Sequence, residues 1–287
     1  MQNAIAFGKP DPVTVHNVLT IDVEDWYHVS NCNLKPVVPK ESRRVRQNVD
    51  MILALLAEYS VKATFFMLGK VAEEEPSIAA DIAKEGHEIA SHGYSHTLLP
   101  LLEPAEFRDE IRKTSEVIYR QTGYKIVGFR APQWSIGPAT PWALDILHEE
   151  GYLYDSSCNP LHFVGDSKGP RTLFAIQTKG GRIVEVPPMV TPLPVCNLPT
   201  GGGWGFRLFP LAIITSTARR LNNAGAPAVF YLHPREMEAD GPRLKLPPLK
   251  SFAAYGTRSD IKDRLRHILQ TFSFCTMRQL VENWEPA

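Results

Sequence analysis

The sequence predicts an α/β fold, an α/β barrel formed as a single domain. Three observations carry this. Short apolar runs alternate with amphipathic helical stretches, the signature of parallel strands joined by right-handed crossovers. Polar motifs fall directly after the apolar runs, where a barrel of this kind builds its site. A length of 287 residues suits one barrel.

The elements follow in order. Val18 to Ile21 reads as a strand ending in acidic residues. Val45, Val49, Ile52, Leu53 and Leu56 keep helical spacing. Ala63 to Leu68 is a second strand, closed by Gly69. Pro76 fits a helix start, Ile78 and Ile82 share one face, and Gly86 ends the helix. His87 to Ala90 is a third strand running straight into Ser91-His92-Gly93-Tyr94-Ser95-His96. Phe107, Ile111 and Ile118 mark a helix that stops at Gly123. Ile126 to Phe129 is a fourth strand, followed at once by Arg130-Ala131-Pro132. Ala143, Ile146 and Leu147 belong to a helix ending at Gly151, and Tyr152 to Tyr154 is a strand leading to Asp155.

The C-terminal half changes character. Leu173 to Ile176 and Ile183 to Val186 flank Lys179-Gly180-Gly181 and predict a hairpin. Pro187 to Pro210, rich in proline and glycine, predicts a long loop. A helix near Leu211 to Leu221 precedes the strand Ala228 to Leu232, which ends in His233-Pro234. A second loop is expected from Glu236 to Tyr255. A helix near Ile261 to Leu269, the run Phe272 to Cys275 and a last helix close the chain. Residues 17–235 read as the barrel, with 236–287 an extension completing the same domain.

Composition narrows the partners. Apolar content of 44% and charged content of 22% belong to an ordinary globular protein. Thirty-one basic residues balance 31 acidic ones, with no long basic run, so neither nucleic acid nor an anionic membrane surface is indicated. No apolar run approaches a membrane span. The stretch Met1 to Asn17 lacks the pattern of a secretory signal, and a cytoplasmic protein is expected. Cys32, Cys158, Cys196 and Cys275 form no CxxC pair and are expected as free, mostly buried thiols.

The motifs point to chemistry. His92 and His96 are four residues apart, which on a helical turn puts both imidazoles on one side, ready to share a divalent cation. Asp22, Glu24 and Asp25 crowd the end of the first strand; such carboxylates call for a cation or proton, or serve as a helix N-cap. Two histidines and one carboxylate leave coordination positions open for water and substrate. Arg130 suits bidentate capture of a carboxylate, or an ordinary ion pair. His233, at a late strand end, titrates near neutrality and can donate a proton. Asp155 is placed to orient that imidazole or another cation in the site. Trp134 offers a wall for a sugar ring or packs in the core, and the glycines around Trp204 permit close backbone approach, with Trp204 stacking on a sugar or packing over a flexible connection.

Together these segments resemble the NodB-homology polysaccharide deacetylases, carbohydrate esterase family 4. The matching pieces are TIDVEDW (20–26), KATFFMLG (62–69), GHEIASHGYSH (86–96), GFRAPQW (128–134), YDSS (154–157) and YLHP (231–234). The tail, with FYLHPRE, PRL and FCTMRQL, resembles the subfamily of exopolysaccharide and exosortase loci. The resemblance implies a distorted (β/α) barrel of the NodB type and metal-dependent removal of N-acetyl groups from an N-acetylated oligo- or polysaccharide. It implies Asp22 as general base, His92 and His96 as ligands of a divalent metal such as zinc, Arg130 as the group holding and tuning the base, and His233 as general acid, with Asp155 supporting it or the neighbouring network. The family places a second aspartate beside the base, where this chain has Val23. The carboxylate ligand is then Glu24 or Asp25. A hydrolase of cyclic imides or ureides on the same barrel, and a carbohydrate-binding protein without catalysis, are the competing readings.

Overall fold

The computed structural model describes residues 15–29, 38–256 and 260–285. The first half consists of strand–helix units. They are β1 (Asn17–Val23), α1 (Val45–Glu58), β2 (Thr64–Met67), α2 (Gly69–Glu74), α3 (Pro76–Lys84), β3 (Glu88–Ser91), α4 (Pro104–Thr122), β4 (Gly128–Phe129), α5 (Trp142–Glu149) and β5 (Tyr154–Asp155). The second half holds β6 (Phe174–Gln177), β7 (Arg182–Glu185), β8 (Thr191–Pro192), β9 (Asn197–Leu198), α6 (Gly203–Leu208), α7 (Leu211–Asn223) and β10 (Val229–Leu232). It closes with α8 (Pro248–Tyr255), α9 (Ile261–Thr271), β11 (Phe274–Cys275) and α10 (Met277–Glu282).

One curled sheet runs in the order β10-β1-β2-β3-β4-β5-β7-β6, with β11 also paired to β1. Every pairing in it is parallel except the β6–β7 hairpin, where Ala175 faces Val184. The alternating pattern predicts such a barrel, and its distorted form is what the family resemblance implies. β1 is buried along its whole length, as a parallel strand covered on both faces must be. Its side chains alternate between two cores. Leu19, Ile21 and Val23 pack outward against α1 and its neighbours, with Ile52, Leu56, Phe65 and Ile89. Val18 points into the barrel with Phe66, Ala90, Val127, Tyr154 and Val229. Asp22 shares that inward face.

Several expectations need correction. Pro187 to Pro210 is not one long loop: it carries the β8–β9 pair and α6. Glu236 to Tyr255 likewise contains α8, started by Pro248 in its first turn. Two-residue strands and one- or two-turn helices show too little periodicity to be read. Cys158 and Cys275 are half-buried and Cys196 is exposed, all three free, because each sits at a strand end or in a loop rather than in a core; Cys32 lies outside the described residues. Among the described residues no helix is long and apolar enough to cross a membrane.

Candidate active site

β1 and β10 are neighbours with Ile21 beside Leu232. The following residues, Asp22 and His233, therefore emerge side by side at the carboxyl ends of two parallel strands. Asp22 Oδ2 lies 3.9 Å from His233 Nε2. Asp22 Oδ1 accepts a 2.7 Å hydrogen bond from Arg130 Nη1. Arg130 follows β4 and is wholly buried. Its Nη1 also donates to Thr20 Oγ1 at 2.8 Å and its Nη2 to Ser156 Oγ at 2.9 Å, and its guanidinium carbon sits 4.1 Å from the centre of the Phe66 ring. The fork is thus spread over three partners, with one bond to the carboxylate instead of two.

Glu24, His92 and His96 converge next to this pair, their donor atoms within 4.8 Å of one another. The stretch from His92 to His96 is not helical. It is a loop after β3, with Gly93 at φ +76° and His96 at φ +60°. The loop is pinned at both ends. Gly93 and Tyr94 carbonyls accept from Gly69 and Lys70 N–H at the start of α2, at 3.0 and 3.1 Å. A Glu110 carboxylate oxygen accepts from Tyr94 and Ser95 N–H, at 2.8 and 2.9 Å. The left-handed turns, not a helical face, bring the two imidazoles together.

The donor chemistry fits a divalent cation. His92 Nδ1 lies 2.8 Å from the Arg130 carbonyl, which only accepts, so that nitrogen carries the proton. The Nε2 lone pair then faces Glu24 Oε1 at 3.1 Å, and His96 Nε2 faces the same oxygen at 2.9 Å. Acceptors meeting in this way need a proton or a cation between them. Burial alone would raise the pKa of Glu24, but its neighbours, His96 first and then Arg235 and His233, hold it well below the usual carboxylate range.

Two residues lie elsewhere. Asp25 turns away from the histidines and accepts from the N–H groups of Trp26, Arg44 and Val45, capping the start of α1. Burial raises its pKa against those bonds. Asp155 faces Ser157, whose hydroxyl donates at 2.6 Å, and Glu185 beside it on β7, not His233. The parallel register of β5 and β7 sets two carboxylates together, and the imidazole of His233 instead meets Glu236, with Nδ1 3.8 Å from Oε2. Ser157 Oγ accepts from Ala131 N–H at 2.8 Å, so Asp155 braces the Arg130 loop indirectly.

Comparison with known proteins follows the same division of the chain. Residues 38–152 match the polysaccharide deacetylase family model, and residues 156–282 match a domain of unknown function, DUF3473. Residues 38–152 therefore carry a polysaccharide deacetylase domain. Over 144 residues it is 33% identical to the peptidoglycan-N-acetylglucosamine deacetylase of Bacillus cereus, covering 46% of this chain and 52% of that protein. It spans about half or less of the curated relatives it matches first. A solved structure from Mycobacterium smegmatis, assigned as a polysaccharide deacetylase, superposes with a TM-score of 0.64 at 22% identity, covering 98% and 93% of the two chains. One from Pseudomonas aeruginosa gives 0.62 at 16% identity, covering 94% and 90%. These superpositions show the NodB-type barrel.

The site opens into a cleft of about 380 Å³, lined by Asp22, Glu24, His92, His96 and His233 and walled by Trp134 and Trp204. Trp134, at φ +53°, packs edge-on against Tyr231 with centroids 4.9 Å apart. Trp204 opens α6 beside Phe163 and Phe209. The glycines around it serve internal packing. A Cβ on Gly202 would meet the Tyr231 carbonyl at 2.2 Å, and one on Gly205 the Pro199 carbonyl at 1.8 Å. The segment is clamped onto β10, and Trp204 stands on a fixed base.

Sequence reasoning missed Arg235, Glu236 and Arg207. Arg235 Nη1 donates to Glu24 Oε2 at 2.6 Å, and Arg207 pairs with Glu236 in full burial. Burial works against the charge of Glu236, yet Arg207 and His233 bring its pKa down to about 2. The charged run Arg235-Glu236 after His233-Pro234 was visible, but its partners lie far off in sequence. His28 also lines the cleft, its ring 5.9 Å from that of His96.

Proposed function

We propose that this protein is a cation-dependent N-deacetylase of an N-acetylated polysaccharide, releasing acetate and a free amino sugar. One observation carries the reading: Asp22, bonded to a buried Arg130, stands 3.9 Å from His233 beside the Glu24–His92–His96 cluster. In this reading Glu24, His92 and His96 hold a divalent cation, and two imidazoles with one carboxylate suit zinc. Such a cation supplies Lewis acidity and lowers the pKa of a water molecule.

Asp22 takes the proton of the water that attacks the acetyl carbon. Arg130 keeps that carboxylate aimed into the cleft. His233 gives a proton to the departing amine, and Glu236 anchors the acid by accepting from its backbone N–H at 3.1 Å. Trp134 and Trp204 flank the sugar. The finer assignment, a bacterial exopolysaccharide, is supported by the tail motifs and by the aromatic walls of an open cleft.

The test is acetate release from defined N-acetylglucosamine oligomers, with chelation and metal add-back. Asp22→Asn and His233→Ala should each lower turnover by orders of magnitude in a folded protein. Opening of a small cyclic amide with no acetate release would overturn the assignment, as would full activity in both variants.

A further inference from the structure

The two oxygens of Glu24 have different neighbours. Oε1 faces His92 and His96, whereas Oε2 accepts the 2.6 Å bond from Arg235. Arg235 sits two residues beyond His233 in the tight turn Pro234–Met237 and is 8% exposed, so solvent screens its charge poorly. The adjacent acid, Glu236, is already neutralised by Arg207.

We propose that Arg235 is a positioning residue that restricts Glu24 to ligating the cation through one oxygen. This rests on the cation site proposed above. Glutamate is a methylene longer than aspartate, and its carboxylate can turn both oxygens onto one cation. The guanidinium occupies one of them. It also repels the cation across a short, buried distance. Both effects weaken cation binding, and the first keeps coordination positions open for water and substrate. A merely structural arginine would do the opposite, since its loss would loosen the site and weaken binding.

Metal-stripped full-length protein titrated with Co2+ separates these outcomes through affinity and the visible absorption band. Arg235→Met should bind Co2+ at least about ten-fold more tightly, the lower bound expected when one nearby like charge leaves a poorly screened site. Its band should weaken as coordination number rises, and its kcat on an acetylated oligomer should fall. Arg235→Lys keeps the charge and should stay near wild type in affinity. Binding by Arg235→Met that is weaker, equal, or tighter with an unchanged band overturns the clamp and leaves the cation site standing. A folded wild type that takes up no Co2+ overturns both. Circular dichroism reports folding, and Arg235→Gln carries the same prediction should the methionine variant not fold.

Discussion

Replacing Asp25 by alanine should cost stability and leave cation binding intact. The Asp25 carboxylate accepts from Trp26 N–H at 2.7 Å, from Arg44 N–H at 3.0 and 3.1 Å, and from Val45 N–H at 3.2 Å. The cap residue of α1, Arg44, offers no side-chain bond of its own. Losing an N-cap costs ~0.5–2 kcal/mol. Val45 is buried, and an unpaired buried N–H adds ~1–3 kcal/mol. Trp26 and Arg44 are half-buried, and water can serve their N–H groups in part. The sum is roughly 1.5–5 kcal/mol. With an unfolding entropy of ~2.1 cal/mol/K per residue over 287 residues, Tm should drop by about 2–8 °C. Thermal unfolding of the metal-free protein measures the first effect and Zn2+ titration the second. Glu24→Gln is the counterpart and should abolish cation uptake. An Asp25→Ala protein with wild-type Tm and no cation uptake would refute this division of labour between adjacent carboxylates.

Arg130→Lys keeps a cation beside Asp22 but loses the bonds of the planar fork to Ser156; turnover should fall about 100-fold with KM little changed, read by steady-state kinetics. Asp155 and Glu185 are fully buried; burial pushes Asp155 up to about 6 and, with the Asp155 charge beside it, carries Glu185 well above the usual range. The folded pair therefore keeps protons that the unfolded chain releases near pH 4, so their stabilising effect is full below that pH and is lost as pH rises through 6 and beyond. Glu185→Gln should flatten that slope, seen in urea midpoints measured from pH 4 to 8. Trp204→Ala should raise KM for a long acetylated polymer by about 2–10-fold, the worth of one aromatic contact, and spare a single acetylated sugar; equal KM values on the polymer would remove Trp204 from the binding surface.

The sheet was legible because parallel strands buried on both faces leave continuous apolar runs, as in Val18–Ile21 and Ala63–Leu68. The site was legible in residue types and less so in geometry. His92 and His96 were recognisable from spacing, yet their geometry is not the helical one that spacing suggests: the left-handed backbone at Gly93 and His96 sets their rings. Whether Glu24 or Asp25 joins them depends on how the chain turns after Val23, where Glu24 N–H bonds back to the Asp22 carbonyl at 2.8 Å. A string of acidic letters does not encode that turn. Nor does it show that α1 starts within reach of Asp25. Arg235 was invisible as a partner because its carboxylate lies 211 positions upstream.

That separation bears on how the molecule is made. β1 carries Asp22 and leads to Glu24, but two of its three neighbours in the sheet, β10 and β11, come from the far end of the chain. At ~5–20 residues per second of synthesis, Glu24 waits about 10–40 s for Arg235 to emerge. Meanwhile β1 presents an unpaired edge on its β10 side, a target for misassociation and for chaperones. Its folding should be slow and dominated by contacts distant in sequence. A nascent or truncated chain ending before β10 would hold the acidic residues and the histidines yet have no assembled centre.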